Sequence, residues 1–125
     1  MNPKNQNILT VAYINMHGQS NLTIAKQVQL EDFLKFNNID IAHLQETEIC
    51  DETFSTCNFI SSSFNLHSNN AANKYGTSSL VKSVYSVQNV KYDTSGRAIV
   101  FDMGELTFGN LYGHSGTDAQ SRSSR

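Results

Sequence analysis

Apolar positions along the chain change their spacing near its middle. The run ILTVAYI, Ile8 to Ile14, is almost continuously apolar, which predicts a strand covered on both faces. It gives way to NMHGQSN, a polar segment around Gly18 with the character of a turn. Asn21 or Thr23 can cap a helix behind it, with Leu30, Phe33 and Leu34 on the inner side and Lys26, Glu31 and Lys35 outside. Ile24 and Val28 do not fit that inner face, which leaves the start of the helix open between the two caps. Asn37 and Asn38 supply a stop, because Asn tolerates the left-handed conformation past a helix end. A second apolar run, IDIAHL from Ile39 to Leu44, then passes straight into Gln45, Glu46, Thr47 and Glu48.

Strand, helix and strand within so short a span predict a right-handed βαβ unit with parallel strands. Parallel neighbours end on the same edge of a sheet. Asn15 and Glu46, each just past its strand, are therefore expected to face one crevice, at the edge where α/β sheets bind ligands.

The second half reads differently. YGTSSLVKS, YSVQNVKYD, RAIVFDM and LTFGNLYG are short runs rich in Val, Ile, Thr, Tyr and Phe, divided by turns that contain Gly. DTSGR, Asp93 to Arg97, and MGE, Met103 to Glu105, read as hairpin connections. An antiparallel meander is the expectation for this half. Between the halves, SSSFNLHSNNAANKYG reads as a polar surface loop. The final stretch, GTDAQSRSSR, is compatible either with disorder or with the polar first turn of a helix.

Composition adds bounds. A chain of 125 residues has room for one domain. With 38% hydrophobic and 16% charged residues it is globular in composition. The net charge of -2 signals no basic face for nucleic acid. The polar start MNPKNQN reads as neither a secretory signal nor a membrane span, so an intracellular protein without membrane partners is expected. In that setting Cys50 and Cys57 are expected to be reduced. His17, His43, His67 and His114 are scattered singly, unlike a zinc ligand set.

Glu46 is the sharpest chemical signal. A carboxylate at the end of a buried strand can hold a hard cation, and magnesium commonly takes one or two protein carboxylates, with water and phosphate at its other positions. The same residue can also simply mark the exit of the strand into solvent. Asn15 can orient a carboxylate, bond a phosphate oxygen, or serve as a turn residue. His43 alternates with Ile39 and Ile41 and reads as a partly buried structural histidine, whereas His17 can serve as a base or stand as a solvated loop histidine. Asn110 and Tyr112, two apart, project to the same side of a strand; Tyr112 can donate to a phosphate or pack its ring in the core.

NMHG after the first strand, IDIAHLQETEI after the helix, DTSGRAIVF in a hairpin and TFGNLYGHSGT at a later strand end occur in the order and rough spacing of the endonuclease/exonuclease/phosphatase superfamily. The chain resembles most the apurinic-type endonuclease domains of non-LTR retrotransposons, over Ile8 to Arg125, with Leu-Gln-Glu-Thr as the most specific motif. The resemblance implies an α+β fold, the N-terminal half of a four-layered α/β-sandwich in which a βαβ unit is followed by antiparallel strands. It also implies roles: Asn15 positions the active-site groups, Glu46 binds the divalent metal, and Tyr112 lies near the scissile phosphate. Arg97 and Asn110 are the substrate-binding residues it implies, Arg97 in a structural or DNA-proximal role. The cofactor implied is Mg, with Mn sharing its oxygen preference.

The chain departs from the family at several points. His17 stands where many members have aspartate, and Glu48 where several have a basic or neutral residue. The later Asp-x-Asn and Asp-His motifs do not occur, so residues 1–125 read as a single incomplete domain. The expectation is the N-terminal fragment of a magnesium-dependent endonuclease that nicks DNA, inactive in isolation. Its full protein would carry the other half and a reverse transcriptase region, and a nuclear location follows if the retrotransposon reading holds. Two alternatives stand beside it: a small-molecule phosphoesterase of the same superfamily, and a non-catalytic vestigial α/β module.

Overall fold

The structure, a computed structural model, describes residues 8–19, 23–47, 57–69 and 76–111. Strand β1, Val11–Gln19, leads to helix α1, Ile24–Phe36, and strand β2, Ile41–Thr47. A short helix α2, Asn58–Ser63, runs into β3, Phe64–Asn69, and then β4, Gly76–Lys82. Strands β5, Gln88–Tyr92, β6, Ala98–Met103, and β7, Leu106–Leu111, complete the described chain.

The first β-α-β unit forms, but β1 is not covered on both faces as its apolar run predicts: it ends the sheet order among the described residues, and Ile8 and Tyr13 are exposed. Thr23 is the cap: its Oγ1 accepts from the Lys26 N–H at 3.3 Å. Leu30 and Leu34, one helical turn apart, are buried. Phe33 differs from expectation, with 39% of its surface exposed. It lies at the border of the narrow row that Leu30 and Leu34 define. Asn37 ends the helix, and Asn38 takes a φ of 50°, the left-handed step that turns the chain toward β2. β1 and β2 then pair in parallel. β1 also continues past Ile14 through the segment read as a turn, with a register irregularity between Asn15 and Gln19.

Two readings of the second half are corrected. The segment read as a surface loop contains the end of α2 and the whole of β3. Among the described residues β3 pairs on one side only, with β4, and its inward side needs few apolar residues, so Phe64 and Leu66 were too sparse a signal. β4 is also no part of a meander. It lies between β2 and β3 in a sheet of order β1-β2-β4-β3, antiparallel to both neighbours. Every residue from Gly76 to Val81 is buried, and the small Thr77, Ser78 and Ser79 suit a strand covered on both faces. Among the described residues only β5-β6-β7 form the antiparallel meander, through the two hairpins expected at Asp93–Arg97 and Met103–Glu105, the second turning at Gly104 and Glu105.

Alternation along β2 assigns the layers. Ala42 and Leu44 join Leu30, Leu34, Ile60, Phe64 and Leu80 in an outer core beneath the helices. Ile41 joins Val81, Ile99, Phe101 and Met103 in an inner core between the two sheets. The architecture is thus α+β: helices, a mixed sheet, then an antiparallel sheet. Among the described residues no helix is long and apolar enough to cross a membrane.

Candidate active site at the strand-end rim

The face of the mixed sheet that looks toward β5-β6-β7 is graded from one end to the other. Directly opposed residues on neighbouring strands share a face, so the register divides it into transverse rows. The first contains Val11, Ile41 and Val81 and belongs to the apolar inner core. The next contains Tyr13, His43, Ser79 and His67. The last contains Asn15, Gln45, Thr77 and Asn69, polar on every strand, and forms the rim.

Side chains of this rim join the two sheets. Gln45 Nε2 donates to the Leu111 carbonyl at 2.9 Å. Thr77 Oγ1 donates to the Gly96 carbonyl at 3.3 Å. Asn69 Nδ2 reaches the Asp93 carbonyl at 2.9 Å and the Asp93 Oδ1 and Ala98 carbonyl, each at 3.0 Å. The end of β7 and the β5–β6 loop therefore lie over the same edge as the ends of β1 and β2.

Glu46 departs from the alternation. Following Gln45, it would ordinarily point to the helix side. Its φ is instead 57°, and the register of β2 is broken at this residue against both neighbours. A bulge of this kind re-aims a side chain. Here it brings Oε2 of Glu46 to 2.7 Å from Nδ2 of Asn15, which donates to it. A non-glycine residue held in the left-handed region costs roughly 1–2 kcal/mol, so the Glu46 side chain is positioned at the expense of backbone strain.

Beneath the rim, His43 is completely buried rather than partly so. Its ring lies 4.7 Å from that of Tyr13 and 5.9 Å from that of Phe101, centroid to centroid. Burial pushes its pKa down to about 4. Nδ1 bonds Ser79 Oγ at 2.8 Å, and Nε2 is buried without a partner. Ser79 Oγ also accepts from Asn110 Nδ2 at 3.2 Å.

Asn110 is fully buried as well, and its amide donates to the carbonyls of Ser78 at 2.9 Å and Leu44 at 3.3 Å. The structure thus places Asn110 inside the sandwich, tying β7 to β2 and β4. Those inward contacts engage the donors of an amide expected among the substrate-binding residues.

Arg97 is partly buried in the β5–β6 loop, where its N–H donates to Asp93 Oδ1 at 2.8 Å. Asp93 is held down to about 2, foremost by the Ser95 hydroxyl against the opposing effect of desolvation, with the N–H groups of Ala98, Arg97 and Ser95 adding to the lowering. Tyr112, Glu48, Cys50 and the His17 side chain lie outside the described residues.

The rim therefore brings together Asn15, Gln45 and Glu46 from two strand ends, with the Arg97 loop on the same edge across β4. Sequence reasoning did not single out Gln45, Thr77, Asn69 or Asp93. The first three were visible only as period-two polar positions at strand ends, which need the strand order to be read, and Asp93 only as the first residue of a hairpin turn. Among the described residues no three His, Cys, Asp or Glu side chains gather as a metal cluster. Glu46, oriented by Asn15, fits the part of one carboxylate ligand to a hard cation that takes its other oxygens from water and phosphate. Two cavities, of about 580 and 690 Å3, lie against the C-terminal end of α1, and a third of about 210 Å3 is lined by Asn15 with Ile14, Met16 and residues of α1.

No family model and no curated protein matches the sequence. Solved structures do. The chain is similar to an AP endonuclease from Archaeoglobus fulgidus, with a TM-score of 0.61 and 17% identity over 84% of this chain and 41% of that one. It is also similar to a truncated TDP2 from Caenorhabditis elegans, with a TM-score of 0.62 and 17% identity over 93% of this chain and 51% of that one. At this identity the likeness establishes the fold: the mixed α+β arrangement of the endonuclease/exonuclease/phosphatase type. The chain spans about half or less of the length of these structures.

Proposed function

We propose that this chain is the N-terminal part of a metal-dependent phosphodiesterase that nicks DNA, of the retrotransposon endonuclease type, and that residues 1–125 alone do not cleave. The observation that carries the reading is the Asn15–Glu46 pair. Two strand ends meet so that an amide orients a carboxylate, and the carboxylate is held there against the backbone preference of its residue. A residue that only marked the exit of a strand would need neither feature. The fold shared with an AP endonuclease supports the same direction.

In this reading Asn15 donates to one oxygen of Glu46 and fixes its direction, and Glu46 is the metal ligand. Mg would supply charge stabilisation at a phosphoryl oxygen when bound, and Mn shares its preferences. Gln45 holds the end of β7, the strand that leads to Tyr112, against the strand that carries Glu46. Tyr112 then acts at the scissile phosphate, and Arg97 contacts the phosphate backbone. The remaining catalytic groups belong to a second half, followed by a reverse transcriptase region, and the whole works in the nucleus.

The test is nicking of supercoiled plasmid with magnesium, comparing this chain with one continued in frame, each beside its Glu46→Ala variant. Nicking by the continued chain, lost on Glu46→Ala, supports the reading. Nicking by the short chain overturns the requirement for the second half. Absence of nicking by either, together with hydrolysis of a small phosphoester, moves the substrate to that class.

A further inference from the structure

The connection between β5 and β6 is held far more firmly than a hairpin requires. Asp93 Oδ1 accepts from the N–H groups of Arg97 and Ala98, each at 2.8 Å, and its other oxygen accepts from the Ser95 N–H and hydroxyl. Gly96 takes the left-handed step, with a φ of 80°. These contacts would by themselves give a closed turn. Two residues of the other sheet hold it in addition. Asn69, only 4% exposed, directs its amide at Asp93 and at the Ala98 carbonyl, and Thr77 bonds the Gly96 carbonyl.

The register gives the clamp its meaning. Asn69 is opposite Thr77, and Thr77 is opposite Gln45, the neighbour of Glu46. Strands lie about 4.8 Å apart. The loop is thus fixed roughly one to two strand spacings from the β2 end, on the rim that carries the Asn15–Glu46 pair. Its cation is Arg97, whose backbone N–H is one of the locked groups. A flexible arginine loop would lose backbone and side-chain entropy on meeting a phosphate, whereas one with its backbone fixed beforehand loses less.

We infer that Asn69 and Asp93 are positioning residues that hold the Arg97 loop as a preformed second contact for the phosphate backbone of a nucleic-acid substrate. The inference rests on the phosphodiesterase reading above. It predicts a substrate that crosses the rim from Glu46 over β4 toward the end of β3.

The experiment uses the intact protein and a labelled DNA duplex, with binding followed by anisotropy between about 50 and 200 mM salt and nicking followed in parallel. Arg97→Gln is expected to lower the slope of log affinity against log salt by about 1. Asn69→Leu is expected to raise KM several-fold with a smaller change in kcat, and to lower the same slope. The double variant should bind no more weakly than Arg97→Gln alone, because Asn69 acts through Arg97. Thr77→Val, a milder change at the second clamp point, should move KM in the same direction by less.

An Asn69→Leu variant that unfolds at lower temperature while keeping the wild-type KM and salt slope overturns the inference, as does strict additivity with Arg97→Gln. If Asn69→Leu does not fold, an unchanged KM in Thr77→Val overturns it. If the wild-type protein neither binds nor nicks DNA, the phosphodiesterase reading falls first and the phosphate contact with it. Wild-type nicking with no KM effect from the clamp variants removes the inference alone.

Discussion

Asn110→Asp changes one atom's chemistry at a site where the structure leaves no room for the change. The Asn110 amide nitrogen lies 2.9 Å from the Ser78 carbonyl, 3.2 Å from Ser79 Oγ and 3.3 Å from the Leu44 carbonyl, in a residue with no exposed surface. Aspartate would set an oxygen against two carbonyl oxygens in place of a shared donor. Its folded-state pKa must rise well above the unfolded value near 3.9. A rise of about 3 units corresponds to about 4 kcal/mol at neutral pH.

Asn110→Ala removes the same donor without adding charge, and should cost about 2–4 kcal/mol through lost hydrogen bonds and a small cavity. Because the acid's folded pKa is raised, its extra penalty is complete above that pKa and fades as pH falls through it toward the unfolded value. The aspartate variant should therefore be the weaker of the two at pH 7 and approach the alanine variant near pH 4, each measured against wild type at the same pH. The assay is urea unfolding. With a slope of about 1.5 kcal/mol/M, the aspartate variant should lose more than about 2 M in midpoint at pH 7. Equal midpoints for the two variants at pH 7, or a loss under about 1 kcal/mol for both, would refute the claim that Asn110 is a buried donor joining the sheets.

Three further outcomes follow from the same geometry. His43 has a folded pKa of about 4 through burial, below its unfolded value near 6.5, so the folded state binds fewer protons between those values; stability is complete above about 6.5 and about 3 kcal/mol is lost as pH falls to about 4. His43→Phe should remove most of that slope in urea titrations across pH, leaving the smaller contribution of His67, whose pKa burial also lowers; an unchanged slope would exclude His43 as its source. Glu46→Gly relieves the backbone at a φ of 57° and should raise stability by about 1 kcal/mol and, on the proposed function, abolish nicking by the intact protein, so a lower melting temperature would count against strain at this residue. Phe101→Ala empties a fully buried position whose ring sits 5.8 Å from that of Phe108 and 6.0 Å from that of His67, and should cost about 3–5 kcal/mol in calorimetry or urea; a loss below about 1 kcal/mol would deny Phe101 its place in the inner core.

Parts of the structure written in local sequence were legible, and parts that depend on strand order were not. Ile8 to Ile14 and Ile39 to Leu44 announce strands, of which only the second is buried, Thr23 and Asn38 bracket the helix, and the two hairpins carry their own turn residues. From these alone the meeting of Asn15 with Glu46 could be expected. β4 was read as a strand but given the wrong neighbours, because Thr77, Ser78 and Ser79 carry no apolar alternation to say that both faces are covered. β3 was lost for a related reason: an edge strand of polar residues looks like a loop until its partner is known. The roles of Asn69 and Asn110 were illegible in principle from local pattern, since each acts on residues of the other sheet, 24 to 66 positions away in sequence.

The left-handed backbone at Glu46 has a consequence for how this sequence would change over generations. Glycine and asparagine adopt that conformation at little cost, and glutamate does not. While the carboxylate is needed, selection for the chemistry opposes the local preference of the backbone. Once it is not needed, folding alone favours replacement, and position 46 should drift toward glycine or asparagine sooner than the buried Leu44 two residues before it changes. On the proposed phosphodiesterase reading, copies of this chain that retain glutamate there are under selection for the chemistry, and copies that have lost it retain only the fold.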